Sequence, residues 1–173
     1  MLTRLFGGKK AQDATANAAA APRYAPGTRV SYDPKLIGHF ESHHKVLLDL
    51  FGKMMAAADA KDYNGIRVHM ERFRKNLNAH LLEERVKLYS YLGGLLASDA
   101  QNNQVMMSMR KEMSDIGTEV FRFIEHYTEN GVDENSLAAF KQRLGEIGNI
   151  LIDRIGREER VLYRLYTAPP DAV

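Results

Sequence analysis

Residues 66–92 read IRVHMERFRKNLNAHLLEERVKLYSYL. Ile66, Met70, Phe73, Leu77, Leu81, Leu88 and Tyr91 follow one another at steps of three, four or seven. This spacing gathers apolar side chains on one face of an α-helix and is incompatible with the alternation of a strand. It predicts a long amphipathic helix from about Asp62 to Leu92. Two polar residues, His80 and Glu84, fall on the same apolar seam, one helical turn apart.

The same period extends on both sides. Upstream, Asp33-Pro34 is a helix start, because an Asp side chain can accept from free backbone N–H groups and Pro fits the first turn. A helix to about Ala60 presents Ile37, Phe40, Leu47, Phe51, Met54 and Ala58, with His44 inside the stripe. Downstream, Gly93-Gly94 and the polar run Ser98 to Asn103 predict a turn. A third helix follows with Met106, Met109, Met113, Ile116, Val120, Phe123 and Tyr127 on its seam. Asn130-Gly131 ends it, and Asp133 can cap a fourth, with Leu137, Phe140, Leu144, Ile147, Leu151, Ile155, Leu162 and Leu165 on its face. Four long helices with short connections predict an all-α, antiparallel up-and-down four-helix bundle over residues 31–168. Phe40, Leu47, Phe73, Leu77, Ile116, Val120, Leu144 and Leu151 are expected to share one continuous interior.

Residues 1–30 lack a sustained apolar period and carry Gly7-Gly8, an Ala-rich run and two prolines, which predicts a flexible N-terminal tail. Leu2, Leu5 and Phe6 among Arg4, Lys9 and Lys10 offer the alternative of a short docking element for a partner or membrane surface. Residues 169–173, opened by Pro169-Pro170, form a C-terminal tail. With 24 Lys and Arg against 22 Asp and Glu, the net charge of +2 gives no field that argues for nucleic acid. Cysteine is absent, so any metal must take nitrogen and oxygen ligands. No run of about 18 apolar residues suggests a membrane span, and the apolar run near Met1 is too short for a secretory signal. The expected location is the cytoplasm.

Charged or imidazole side chains on an apolar seam need a partner, a hydrogen bond or a metal to offset desolvation. His44, His80, Glu84, Arg154 and Glu158 stand in that position. On the flanks, His39 and His43 are four apart and could form a surface metal pair, while Glu41, Glu83 and Glu159 read as solvated. His69 and His126 read as structural, and most of the methionines as core packing.

The run HLLEERVKLYSYL resembles the hemerythrin-like (HHE) cation-binding family, whose bundle holds a dinuclear iron centre. In that family each half supplies one His and then a His-x-x-x-Glu pair. The resemblance implies metal ligands at His44, His80, Glu84 and Glu158. The second half departs from the pattern: RIGREERVLYRLY keeps Glu158 but has Arg154 where the family has His, and Met113 holds the seam of helix 3 where another His is expected. Arg154 is therefore read as a cation replacing a metal, able to donate to Glu84 and Glu158 together from one fork and to repel a second ion. The implied cofactor is none or one metal ion, iron first.

No nucleophile elbow, phosphate loop or acid–base pair is present, so the sequence does not support a conventional enzyme. The expected function is a regulatory or protein-interaction module with a protein partner. The alternative is a sensor of oxygen, nitric oxide or iron through a residual mononuclear site.

Overall fold

The computed structural model describes residues 23–169. Four rods account for nearly all of them. The first is α1 (Leu36–Asp59). The second is α2 (Tyr63–Glu83), which continues through a π-helical stretch, Glu84–Tyr89, into α3 (Ser90–Leu95). The third is α4 (Ala100–Asn130), and the fourth is α5 (Leu137–Arg157) with a π-helical stretch, Glu158–Leu162, and a 3-10 turn, Tyr163–Leu165. α1 packs on α2 and α5, and α4 packs on the same two, so rods adjacent in sequence are adjacent in space. Short connections force that antiparallel order. No strand occurs among the described residues; Tyr24 and Ser31 make an isolated bridge.

The rod ends follow local chemistry. Asp33 Oδ1 accepts from Lys35 N at 2.9 Å. Asp62 accepts from Gly65 N, and Asp133 Oδ1 accepts from Ser136 N at 2.8 Å just before α5. α4 starts earlier than the polar run Ser98 to Asn103 suggests. Asp99 takes the amide of Asn102 at 3.1 Å, so Ala100 to Asn103 already belong to the helix. Gly131, at φ +73°, supplies the left-handed residue that closes α4 and returns its N–H to Tyr127 O.

The interior is two apolar layers rather than one. The first contains Leu47, Met54, Phe73, Leu77, Val120, Phe140, Leu144 and Leu151. The second contains Leu36, Phe40, Leu88, Tyr91, Leu92, Met106, Met109, Leu162 and Tyr166. Along the chain His44 lies between Phe40 and Leu47, His80 and Glu84 between Leu77 and Leu88, and Arg154 and Glu158 between Leu151 and Leu162. Every rod thus passes from one layer to the other through the same level. All five of these polar residues are buried, and Met113 holds the level on α4. Ile116, expected inside, is only partly buried, as is Leu81, because Gly117 turns to the interior and Leu81 packs against it.

Of residues 23–30, which the sequence assigns to the tail, Ala25 is buried and most others are exposed; the rest of that tail, like residues 170–173, lies outside the described residues. Ala25 is buried in the second layer. A Cβ on Gly94 would stand 2.6 Å from the carbonyl oxygen of Pro26, so this strap crosses α3 where only glycine fits. Arg23 donates to Pro169 O, the Tyr91 hydroxyl to Thr167 O at 2.7 Å, and Asp33 N to the Tyr166 hydroxyl at 2.9 Å. Both ends of the described chain are therefore pinned to the second layer. No described helix is long and apolar enough to cross a membrane.

Candidate metal centre

His44 comes from α1, His80 from the end of α2, Glu84 from the first residue of one π-helical stretch and Glu158 from the first residue of the other. A π turn widens the helix and changes which residues share a face. The consecutive pairs Leu88-Tyr89 and Leu162-Tyr163 are both buried here. Both tyrosines reach the polar level, Tyr89 from the end of one π-helical stretch and Tyr163 from the 3-10 turn that follows the other.

His44, His80 and Glu158 each offer a ligand atom within 4.8 Å of the other two, and all three are buried. The Nδ1–H of His44 donates to Glu159 Oε1 at 2.9 Å. Its Nε2 faces Glu158 Oε2 at 3.3 Å and the Tyr163 hydroxyl at 3.2 Å. Glu159, read from the sequence as solvated, thus orients a buried imidazole. Tyr163 in turn donates to Glu84 Oε1 at 3.1 Å. His80 Nε2 stands 3.9 Å from Glu84 Oε2, too far for a hydrogen bond. Among the described residues, His80 Nδ1 and Glu84 Oε2 have no hydrogen-bond partner although they are buried.

Burial sets the charge states. It depresses His80 to a pKa of about 3, helped by the neighbouring His44 and His43, so this imidazole is neutral. Burial raises Glu84 well above the usual carboxylate range, and the charge of Glu158 adds to the rise against the Tyr163 hydrogen bond and Arg154. Burial also works against a charged His44, but its bonds to Glu158 and Glu159 outweigh that and raise its pKa. Burial and the nearby carboxylates push the Tyr163 hydroxyl far up, so it remains a donor.

Arg154 is 1% exposed, on the last turn of α5. Its Nε donates to Glu158 Oε1 at 2.8 Å, its NH2 to the Tyr89 hydroxyl at 3.2 Å and its NH1 to Glu112 Oε2 at 3.3 Å. The expected fork between Glu84 and Glu158 is therefore corrected. The second carboxylate is Glu112 of α4, which Arg157 also holds at 2.8 and 2.5 Å. Glu112 is the more accessible partner: its side chain is 40% exposed, whereas burial works against charge on Glu84. Arg157 leads in holding the Glu112 carboxyl below its usual range. Met113 lines a small cavity of about 20 Å³ with His44, His80, Arg154, Glu158 and apolar residues of α1 and α2.

A family comparison bears directly on this layer: the hemerythrin HHE cation binding domain matches residues 35–166. The chain belongs to that family. No curated protein and no solved structure matches it. In this HHE domain the sequence-derived residues His44, His80 and Glu158 converge, Glu84 joins them through Tyr163, and Arg154 sits against Glu158. Tyr89, Tyr163, Glu112 and Glu159 were not singled out as site residues from the sequence. Tyrosines five residues after Glu84 and after Glu158 were the available signal.

One metal position fits this HHE layer, with His44 and His80 from the first half and Glu158 from the second. Two imidazoles and a carboxylate suit iron, zinc or manganese. One imidazole is held by an outer carboxylate, as metal-bound histidines commonly are. Two buried polar atoms lack partners, and the cavity is large enough for a single water-sized guest. A second ion fits poorly, because a fixed guanidinium already holds Oε1 of Glu158 while Oε2 faces His44.

Proposed function

We propose that this HHE domain is a regulatory module built around one metal position, with Arg154 occupying the place of the second. The observation that carries this reading is the buried triad His44, His80 and Glu158 with Arg154 bonded to the third member. His44, His80 and Glu158 would hold the ion, with Glu84 beside them. When bound, the ion supplies a Lewis-acidic centre for one small ligand.

The chain's own residues supply the rest. Glu159 fixes the ring of His44, Tyr163 holds Glu84 in place, and Arg154 divides its donors between Glu158 and Glu112. Through Glu112 and Arg157 the layer is tied to α4 as well as to α1, α2 and α5. A change of charge at the triad therefore reaches all four rods, which is the coupling that a module signalling to a protein partner requires.

A second reading, a sensor of oxygen or nitric oxide, draws on the cavity beside the triad. Its walls include Leu47, Phe51, Phe73 and Leu77, a setting suited to a small apolar molecule.

The test is iron analysis after anaerobic reconstitution of the full chain. It is done in a His39→Ala/His43→Ala background so that no exposed histidine pair competes. One iron per chain, lost on His80→Gln with helix content intact, is expected. Two tightly held irons would overturn the reading, and so would none.

A further inference from the structure

The arrangement of the buried triad is repeated on the surface one layer out. His39 and His43 lie four residues apart on α1, with ring centroids 4.1 Å apart, and Glu83 faces them from the last residue of α2. Glu83 Oε2 is 2.8 Å from His39 Nε2 and 3.9 Å from His43 Nδ1, and the three ligand atoms lie within 4.8 Å of one another. Bonds of about 2.0–2.1 Å to a tetrahedral ion place its donors about 3.3–3.5 Å apart, so small side-chain adjustments would close the cluster around one ion.

The carboxylate is prepared in the same way as in the interior. Glu158 gives Oε1 to Arg154 and turns Oε2 to an imidazole. Glu83 gives Oε1 to Lys87 and turns Oε2 to two imidazoles. A cation that fixes one oxygen of a ligating carboxylate orients the other. An ion pair between His39 and Glu83 alone leaves the position of His43 unexplained. The side chains of His39, His43 and Glu83 are 43%, 32% and 24% exposed, so water can reach the cluster and complete a coordination shell. His43 also meets His80 edge-on at 6.0 Å, which sets the cluster against the buried layer without sharing a residue with it.

We propose that His39, His43 and Glu83 form a solvent-facing site for a divalent transition-metal ion of the zinc type, with a coordination position open to water. The site does not depend on metal in the buried layer.

The experiment is titration of the metal-free full chain with Zn²⁺ against a chromophoric chelator, for the parent, His43→Ala, Glu83→Gln and His39→Ala/His43→Ala. Circular dichroism checks the helix content of each. Exposed positions should leave the fold intact, and the single variants keep the test open if the double variant fails to fold. The expected result is an affinity at least tenfold weaker in each single variant and one Zn²⁺ fewer per chain in the double variant, with any buried ion retained. Absence of Zn²⁺ binding by the parent, or less than a tenfold change in both single variants, overturns the proposal.

Discussion

α2 and α5 end in the same way and carry opposite chemistry. Each runs into a π-helical stretch whose first residue is a buried glutamate, Glu84 or Glu158. Four residues earlier stands His80 in one and Arg154 in the other; five residues later stands a buried tyrosine, Tyr89 or Tyr163. The tyrosines are crossed: Tyr163 donates to Glu84, and Tyr89 accepts from Arg154. The backbone slot is thus duplicated while its charge is not. The His80 slot holds a neutral imidazole and a carboxyl driven toward its neutral form, and needs a cation before Glu84 can ionise. The Arg154 slot carries its own cation. One residue type, His or Arg, sets the difference in charge between the two slots.

The largest expected effect comes from removing that internal cation. Arg154→Ala leaves Glu158 buried without its partner and should lower unfolding free energy by about 3–5 kcal/mol in denaturant melts. A loss under about 1 kcal/mol would erase the distinction between the slots. Pairing Arg154→His with Met113→His is the complementary change. It should raise iron uptake per chain by restoring two nitrogen donors, as metal analysis would record.

Next in size is the apolar layer that both slots share. Leu77→Ala should cost about 2–5 kcal/mol, the range for a large buried deletion, with metal stoichiometry unchanged. Loss of metal in that variant would mean that the layers are not separable.

Acid should act on the His80 slot through its depressed pKa. The unfolded imidazole takes a proton near its ordinary 6.5, whereas the folded one resists until about 3. The contribution of His80 is therefore complete above pH 6.5 and is lost as pH falls toward 3, by up to about 1.4 kcal/mol per pH unit. Glu84 runs the other way. Its raised pKa favours the fold most below 4.5, an advantage that fades as pH rises through the raised value. Chemical denaturation of metal-free protein between pH 7 and 4 should show a flatter acid slope in His80→Leu than in the parent.

The crossed tyrosines give the smallest difference. Tyr163→Phe strips Glu84 of its donor and His44 of a neighbour, while Tyr89→Phe removes one of several partners of Arg154. The first should cost about 1–3 kcal/mol and the second less, by thermal melts of the two variants side by side.

The bundle was legible because steps of three and four persist from Ile66 to Leu77 and from Leu137 to Leu151, and only a helix turns such spacing into a face. His44, His80, Glu84, Arg154 and Glu158 were legible as polar interruptions of those faces. Glu112 was not, because whether a residue beside the Met113 seam reaches Arg154 depends on how α4 and α5 are rotated against each other. Glu159 is exposed, in keeping with its reading as solvated, but its bond to His44 was hidden for the same reason. The π-helical stretches were hidden as well, because nothing in the spacing of Leu88 and Tyr89 separates a π turn from an α turn. The packed strap around Ala25 had no period to read, since it is held by Gly94 and the far end of the chain.

The polar level between the two apolar layers also bears on how the rods are aligned along their length. Apolar side chains are nearly interchangeable, so a rod in a uniformly oily bundle can slide by one turn, about 5.4 Å, and repack. Sliding α5 by that distance would carry Arg154 away from Glu112 and toward the level of Met109 or Gly117, leaving a guanidinium without its carboxylate. Axial slippage is therefore opposed at the middle of the rods rather than at their ends.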